Sequence, residues 1–467
     1  MDLTRRAGAA VAASAGMPPV LPHNGVLGAT SLTPVPRRAP ARQLTTAAMA
    51  AFSCLAERCP DTCCRDWAVP VDRRDLDRLK GAMVSTPQGR ERLVRLVVIG
   101  NRAHGSETAA RLHLDESGGC PMLEADQSCG VHATLGEEAL TTACSIFPRT
   151  ALGTPSGVEV GGSLGCPEVA RLTLLAPEPP LLAPADRPML PRPYLGKVIS
   201  TDEGDAYARH FLDVRQTLLD CFRLPLPLGT RLAVAADFAA RVGAFFHAGT
   251  SELEGARRPF AERRLRAERA ATMVASLHDE LEGDLKALAF PPDAATGVMS
   301  TIAGFLLERR RLPHSPRFAA VVAQAFPGAV EPAADQAAVW WASYSSRRAL
   351  LQGRAGQASD AVFANYAQHF ILRNPYTDAP SLLDHLHRLA THLAAVRLLA
   401  VLHPQLADRL AAGADAAADA TTVERVAVDV VQIFTKAIAH HPEYLKAALD
   451  QTGPATFGRL ILLAKFV

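Results

Sequence analysis

Aromatic side chains are scarce, 6% of the 467 residues, although apolar residues reach 48%. Ala and Leu supply much of that apolar content, which favours helices and argues against a β-rich architecture. A surplus of charge is also missing. Lys and Arg number 49 against 47 Asp and Glu, a net charge of +2, and so near a balance removes the electrostatic case for a nucleic-acid partner. No run of 18 or more apolar residues occurs, so no membrane span is implied and a cytoplasmic protein is expected. No repeat of fixed period is present. A Gly-rich phosphate loop opening a helix after a strand is absent too. Gly153, Gly157, Gly161, Gly162 and Gly165 are dense, but they fall in a hairpin pattern without a βαβ surround, so they read as turns and bulges.

What remains divides into four segments. Residues 1–43, rich in Ala, Pro and Gly, have hardly any Leu, Ile or Phe to form the apolar core of a secretory leader, and read as a disordered extension. Residues 44–175 hold eight of the nine cysteines. A Pro-rich connector follows at 176–196, since Pro is excluded from helix interiors and central strands. Residues 197–467 read as helices. Leu265, Met273, Val274, Leu277, Leu281, Leu285 and Leu288 mark one apolar stripe. Leu382, Leu386, Leu389, Leu393 and Val396 mark a second. Val423, Val426, Ala427, Val430, Phe434 and Ile438 mark a third, each near i, i+3/i+4 spacing and each read as packed core. Strand signals are confined to the second segment: Val69–Asp72, Arg111–Asp115, and a hairpin pairing Arg149–Leu152 with Val158–Val160. The expected fold is mainly α, a small loop-rich cysteine-cluster domain with a few short strands followed by a multi-helix domain.

The cysteines are Cys54, Cys59, Cys63, Cys64, Cys120, Cys129, Cys144, Cys166 and Cys221, with none beyond. Cys221, alone in an apolar run, reads as core. For the other eight, three chemistries compete. Disulfides belong to oxidising compartments and small domains without a core, and the adjacent pair Cys63-Cys64 is strained as a bridge to itself. Structural zinc favours paired C-x2-4-C knuckles; Cys59 and Cys63 fit one, but Cys120 and Cys129 are too far apart in sequence for the second. An iron–sulfur cluster needs four thiolates converging from loops, and irregular spacing is compatible with that.

The residues around these cysteines add a resemblance. Phe52-Ser-Cys54-Leu-Ala-Glu-Arg-Cys59-Pro-Asp-Thr-Cys63-Cys64-Arg-Asp-Trp67 resembles the opening signature of the flagellin lysine-N-methylase family (FliB-type). Gly119-Cys120-Pro-Met-Leu123 with Cys129 resembles its second segment. Leu135-Gly-Glu-Glu-Ala-Leu140 with Cys144-Ser-Ile-Phe-Pro-Arg149 resembles its third, and Leu164-Gly-Cys166-Pro-Glu-Val-Ala-Arg171 its fourth, in the family's order. Six of these cysteines, Cys59, Cys63, Cys64, Cys120, Cys129 and Cys144, also resemble the broader YkgJ-type zinc- or iron-chelating family. Near the C-terminus Asn365-Tyr366 is similar to the family's Glu-Asn-Tyr motif, with Ala364 in place of the acid. Ile438-Ala-His440-His-Pro-Glu-Tyr-Leu445 is similar to its terminal helix, with Ala439 in place of Glu.

The resemblance implies a bacterial protein-lysine N-methyltransferase using S-adenosylmethionine and an iron–sulfur cluster of the 4Fe-4S type, with zinc as the alternative metal. Its partner would be a protein substrate, flagellin or another lysine-containing protein. The eight clustered cysteines form the pool of metal ligands. Transfer to a lysine needs a neutral amine, and the reference pKa of roughly 10.4 calls for a base or a desolvated pocket. Glu137 and His132, between two cluster cysteines, are the candidate catalytic residues, with Glu138 beside them. Arg149 is the candidate for the cofactor carboxylate, its fork suiting bidentate contacts. Trp67 is placed to cover the cluster or an adenine ring. The chain lacks the C-x3-C-x2-C spacing of radical enzymes that use this cofactor. The alternative function is a non-enzymatic metal-binding module with a helical partner-binding region.

Overall fold

A computed structural model describes residues 42–66, 69–99, 108–115, 118–199, 210–246, 292–310, 315–331, 333–439 and 453–467. Helices dominate, as the composition requires. The Leu265–Leu288 stripe lies outside the described residues.

The strands form two small sheets. The first comprises β1 (Gln43–Thr45), β5 (Arg149–Thr154), β6 (Gly157–Gly162), β7 (Ala183–Pro184) and β8 (Lys197–Val198), in the order β7-β1-β6-β5-β8. The expected hairpin is its centre, β5 and β6 pairing antiparallel with Ala151 opposite Val160. One strand, β7, comes from the Pro-rich connector, and β8 follows directly after it. Pro184 sits in β7 at the sheet edge, where a missing N–H costs no ladder bond. The second sheet is β2 (Pro70–Asp72), β3 (Val97–Ile99) and β4 (Thr108–Leu112), with β4 in the middle. β4 ends at Leu112, short of the expected Asp115, because β3 pairs no further than Leu112.

Each sheet belongs to its own hydrophobic core. Beside the second sheet pack α2 (Arg73–Met83) and α3 (Pro87–Leu96), burying Val71, Leu79, Leu96 and Ala110 with Met122 and Val131. The first sheet instead joins the large core. Val160 and Leu164 are buried there with α6 (Pro167–Leu174) against the long helices.

Those helices are α7 (Phe211–Cys221), α8 (Leu228–Phe246), α9 (Pro292–Arg309), α10 (Pro316–Ala325), α11 (Ala334–Arg373), α12 (Leu382–Leu402), α13 (Pro404–Ala411), α14 (Ala416–Phe434) and α15 (Phe457–Phe466). The second and third stripes are buried as expected, on α12, on α14 and on the π-helical turn Thr435–Ala439 that prolongs α14. Cys221 is core. Ser381 caps α12 by accepting from Asp384 N. α11 is bent at Ala355, whose φ of −147° is non-helical. Among the described residues no single helix is long and apolar enough to cross a membrane. α12 and α13 pass that test only jointly, are bent by 53°, and α12 is buried inside the protein.

Candidate metal centre

Five cysteines converge beside the small core. Cys64 and Cys120 are stitched by a backbone bond, Cys120 N donating to Cys64 O at 2.8 Å, flanked by a bridge between Arg65 and Gly119. This close approach needs glycine at 118. Its φ is +76°, and a Cβ there would lie 2.5 Å from Asp66 Oδ1. Cys129 faces Leu123 in a second bridge and stands at the N-cap of α4 (Gly130–Leu135). Cys144 lies in α5 (Thr142–Ile146), capped by Thr141, whose Oγ1 accepts from Cys144 N. Cys120, Cys129 and Cys144 all pack on the small core.

The thiols feel one another. The Cys64 thiol hydrogen-bonds that of Cys129, which favours its thiolate. Its bond to Cys63 and its burial oppose this and prevail, pushing its pKa up to about 12. The same Cys64–Cys129 bond, then burial, raises Cys129. Burial is the main cause for Cys144, reinforced by Cys64, Cys129 and Cys120. Cys120 is raised by burial and by Cys129. A set of thiols that suppress one another's ionisation suits a bound metal ion, whose charge reverses that balance. Among the described residues no three His, Cys, Asp or Glu stand in metal-holding geometry, so the five are neighbours short of ligand distances.

Cys54, Cys59 and Cys166 form a separate group. Burial raises Cys59, with Cys54 adding to it. Burial also pushes Cys166 up to about 11, with Cys59 and Cys54 adding. Cys166 is the N-cap residue of α6. None of the nine cysteines is in a disulfide.

The other expected site residues scatter around these groups. Arg149 opens β5, its guanidinium 5.4 Å from the Phe52 ring centroid. Its Nε is buried and without a hydrogen-bond partner. Burial lowers its pKa and Arg187 adds to this, while Glu137 and Cys54 act in the opposite sense. Arg149 is therefore near enough to Glu137 and Cys54 to feel both. Glu137 is exposed, and its Oε1 accepts from Ser145 Oγ at 2.9 Å. Its backbone carbonyl accepts from Arg192. His132 and Glu138 are exposed, on α4 and in the following turn. Trp67 and His440–Leu445 lie outside the described residues. Asn365 Nδ2 donates to the carbonyls of Leu174 and Ala176, fixing α11 to the end of α6.

Comparison with known proteins bears on this constellation. Over 127 residues, 27% of its length, the chain is 32% identical to the flagellar biosynthetic protein FliU of Salmonella muenchen and spans 73% of that protein. The chain belongs to the FliU and lysine-N-methylase family. Other members are the proteins named lysine-N-methylase in Salmonella typhimurium (strain LT2) and Salmonella choleraesuis (strain SC-B67), 32% and 31% identical over 127 residues. The chain spans only 31% of each of these two. No family model and no solved structure matches.

In this FliU relative one residue of the site escaped the sequence reading. Asp61, between Cys59 and Cys63, is buried and accepts from Lys436 Nζ at 2.6 Å and from Gln432 Nε2 at 2.8 Å. Arg317 approaches Oδ2, the oxygen that Gln432 also uses, at 2.9 Å. Lys436 also donates to Thr62 O, and Gln432 to Gly165 O, one residue before Cys166. The cysteine loop is thus held by the last turns of α14 and its π-helical extension. A polar Gln432 and a Lys436 breaking the third apolar stripe were the available signal.

Proposed function

We propose that the chain is a protein-lysine N-methyltransferase that uses S-adenosylmethionine and an iron–sulfur cluster, acting on flagellin or another protein. The observation that carries the reading is the convergence of Cys64, Cys120, Cys129 and Cys144, with Cys63 adjoining, in a family with named lysine-N-methylases. Three of those four thiolates would hold a 4Fe-4S cluster and leave its fourth iron without a protein ligand, with the remaining clustered cysteines as further thiols. Bound there, the cluster would supply an iron able to chelate the amino and carboxylate groups of S-adenosylmethionine.

The chain's own residues would prepare the acceptor. Glu137, kept in place by Ser145, would take the proton from the substrate lysine ammonium. The amine lone pair then forms a C–N bond to the donor methyl as the C–S bond breaks, and the electron pair leaves with S-adenosylhomocysteine. His132 is positioned as a further proton acceptor, and Arg149 as a counter-ion for the donor carboxylate.

Protein purified without oxygen is expected to contain about four iron atoms per chain and to transfer label from S-adenosylmethionine to lysines of flagellin. Cys64→Ser and Cys129→Ser should lose iron and activity together. A colourless protein with stoichiometric zinc sinks the cluster. An intact cluster with no label on any acceptor protein points to the non-enzymatic metal-binding module instead.

A further inference from the structure

A cavity of about 420 Å³ lies where β5, β6 and the Tyr194–Lys197 segment meet α11 and α12, within the usual size of small-molecule sites. One face of α11 supplies Tyr366, His369 and Arg373 to its wall, residues at i, i+3 and i+7 and therefore aligned. The Tyr366 hydroxyl is taken up by His392 Nδ1 at 3.0 Å, while the other two residues keep open positions. Arg373 Nε and His369 Nε2 are buried with no hydrogen bond, as are His392 Nε2 and Thr435 Oγ1 across the cavity.

Arg373 differs from three of the other inward-facing arginines. Arg215 pairs with Glu159, Arg354 with Asp419 and Arg397 with Asp360. Arg373 has no ion pair among the described residues, and its neighbours include the phenols of Tyr366 and Tyr194, which burial keeps neutral. An unpaired guanidinium facing an enclosed space is costly, and such a cost is retained where a ligand supplies the missing charge.

His369 adds a second requirement. Its ring bonds the Gly162 backbone in the sense that favours a ring proton, so the partner is a carbonyl and the ring nitrogen facing it carries the hydrogen. Burial keeps the ring neutral. Nε2 is then an acceptor aimed into the cavity. The wall thus asks for an anion at Arg373 and an N–H donor at His369, one helical turn apart. An α-amino-acid head group carries both.

We propose that this cavity binds the α-amino-acid end of a small molecule, its carboxylate on Arg373 and its amine on His369. Tyr194 and Phe370 wall the remaining space. The inference rests on the methyltransfer reading only in that the methyl donor is one molecule with such an end; for that ligand, His369 and Arg373 replace the cluster iron and Arg149 as the seat of its amino and carboxylate groups, and a free amino acid is the other source.

Calorimetric titration of the full-length protein with S-adenosylhomocysteine, L-methionine, 5′-methylthioadenosine and inorganic phosphate tests it. At least one of the first two should bind. 5′-Methylthioadenosine, which lacks the amino-acid end, and phosphate should bind at least tenfold more weakly. Arg373→Met should weaken binding of the amino-acid probes at least tenfold and raise the melting temperature, because it removes an unpaired buried charge. Arg373→Lys should retain partial binding. A lowered melting temperature in Arg373→Met marks a structural arginine and overturns the proposal, as does failure of both amino-acid probes at millimolar concentration. S-adenosylhomocysteine binding that survives Arg373→Met overturns this cavity as its seat while leaving the methyltransfer reading standing. L-methionine binding alone, lost in Arg373→Met, supports a free amino acid.

Discussion

Asp61 gathers three donors from segments remote in sequence, and its carboxylate is 6% exposed. Water cannot replace Lys436 or Gln432 at that depth, so Asp61→Ala would leave a buried ammonium uncompensated. It is expected to cost about 3–5 kcal/mol and, on the proposed function, to lower the iron content, both measurable by urea unfolding and metal analysis of the same preparation. A variant as stable as the parent would show that Asp61 is not the anchor. Asp75 has a comparable place under Cys144. It is buried, its pKa is raised chiefly by that burial, and it accepts from Thr142 N and Oγ1, both at 2.9 Å, where α5 begins.

At the scale of elements, α11 and α12 concentrate buried imidazoles. Burial is the main cause in each, bringing His369, His385 and His392 down to about 3 and His387 to about 4. All four are depressed below the unfolded value of roughly 6.5. Below that pH the unfolded chain binds protons that the folded chain refuses, so stability is complete above about pH 6.5 and declines as pH falls toward 4. The slope is about 1.4 kcal/mol per pH unit for each histidine. Denaturant midpoints at pH 8 and pH 5 check this, and equal midpoints would refute it. The positions of these two helices were only partly legible beforehand. The Leu382–Val396 stripe repeats every three or four residues and marks α12 unaided. Tyr366, His369 and Arg373 repeat at the same period, yet polar residues on an inward face look like a solvated surface until the packing is known. β7 was hidden because proline argues against strands, and only its edge position lifts that objection.

At the scale of the whole molecule, two main cores of unequal size coexist, beside a cluster of Ile146, Ala151 and Tyr194. The small one, around Val71 and Leu79, shares its surface with Cys120, Cys129 and Cys144, so a metal centre there would act as a staple for a core that is small for independent stability. Metal-free protein is therefore expected to melt in two steps, the small core first, and metal-loaded protein in one. Differential scanning calorimetry before and after anaerobic loading would show it; a single transition without metal would count against the division. The cysteine cluster itself was visible in the sequence, since its residues are chemically distinctive. Its separation into groups of five and three was not, because that depends on which loops the two cores bring together.

The Lys436–Asp61 contact spans 375 residues of chain. At ribosomal speeds of about 5–20 residues per second, the cysteine loop would leave the tunnel on the order of tens of seconds before its clamp is synthesised. During that interval Cys59, Cys63 and Cys64 would lack the anchor that fixes them in the finished protein. Completion of the site is thus deferred until Lys436 has emerged, and a metal centre delivered to it would meet its final binding geometry only after α14 and its π-helical extension have closed on the loop.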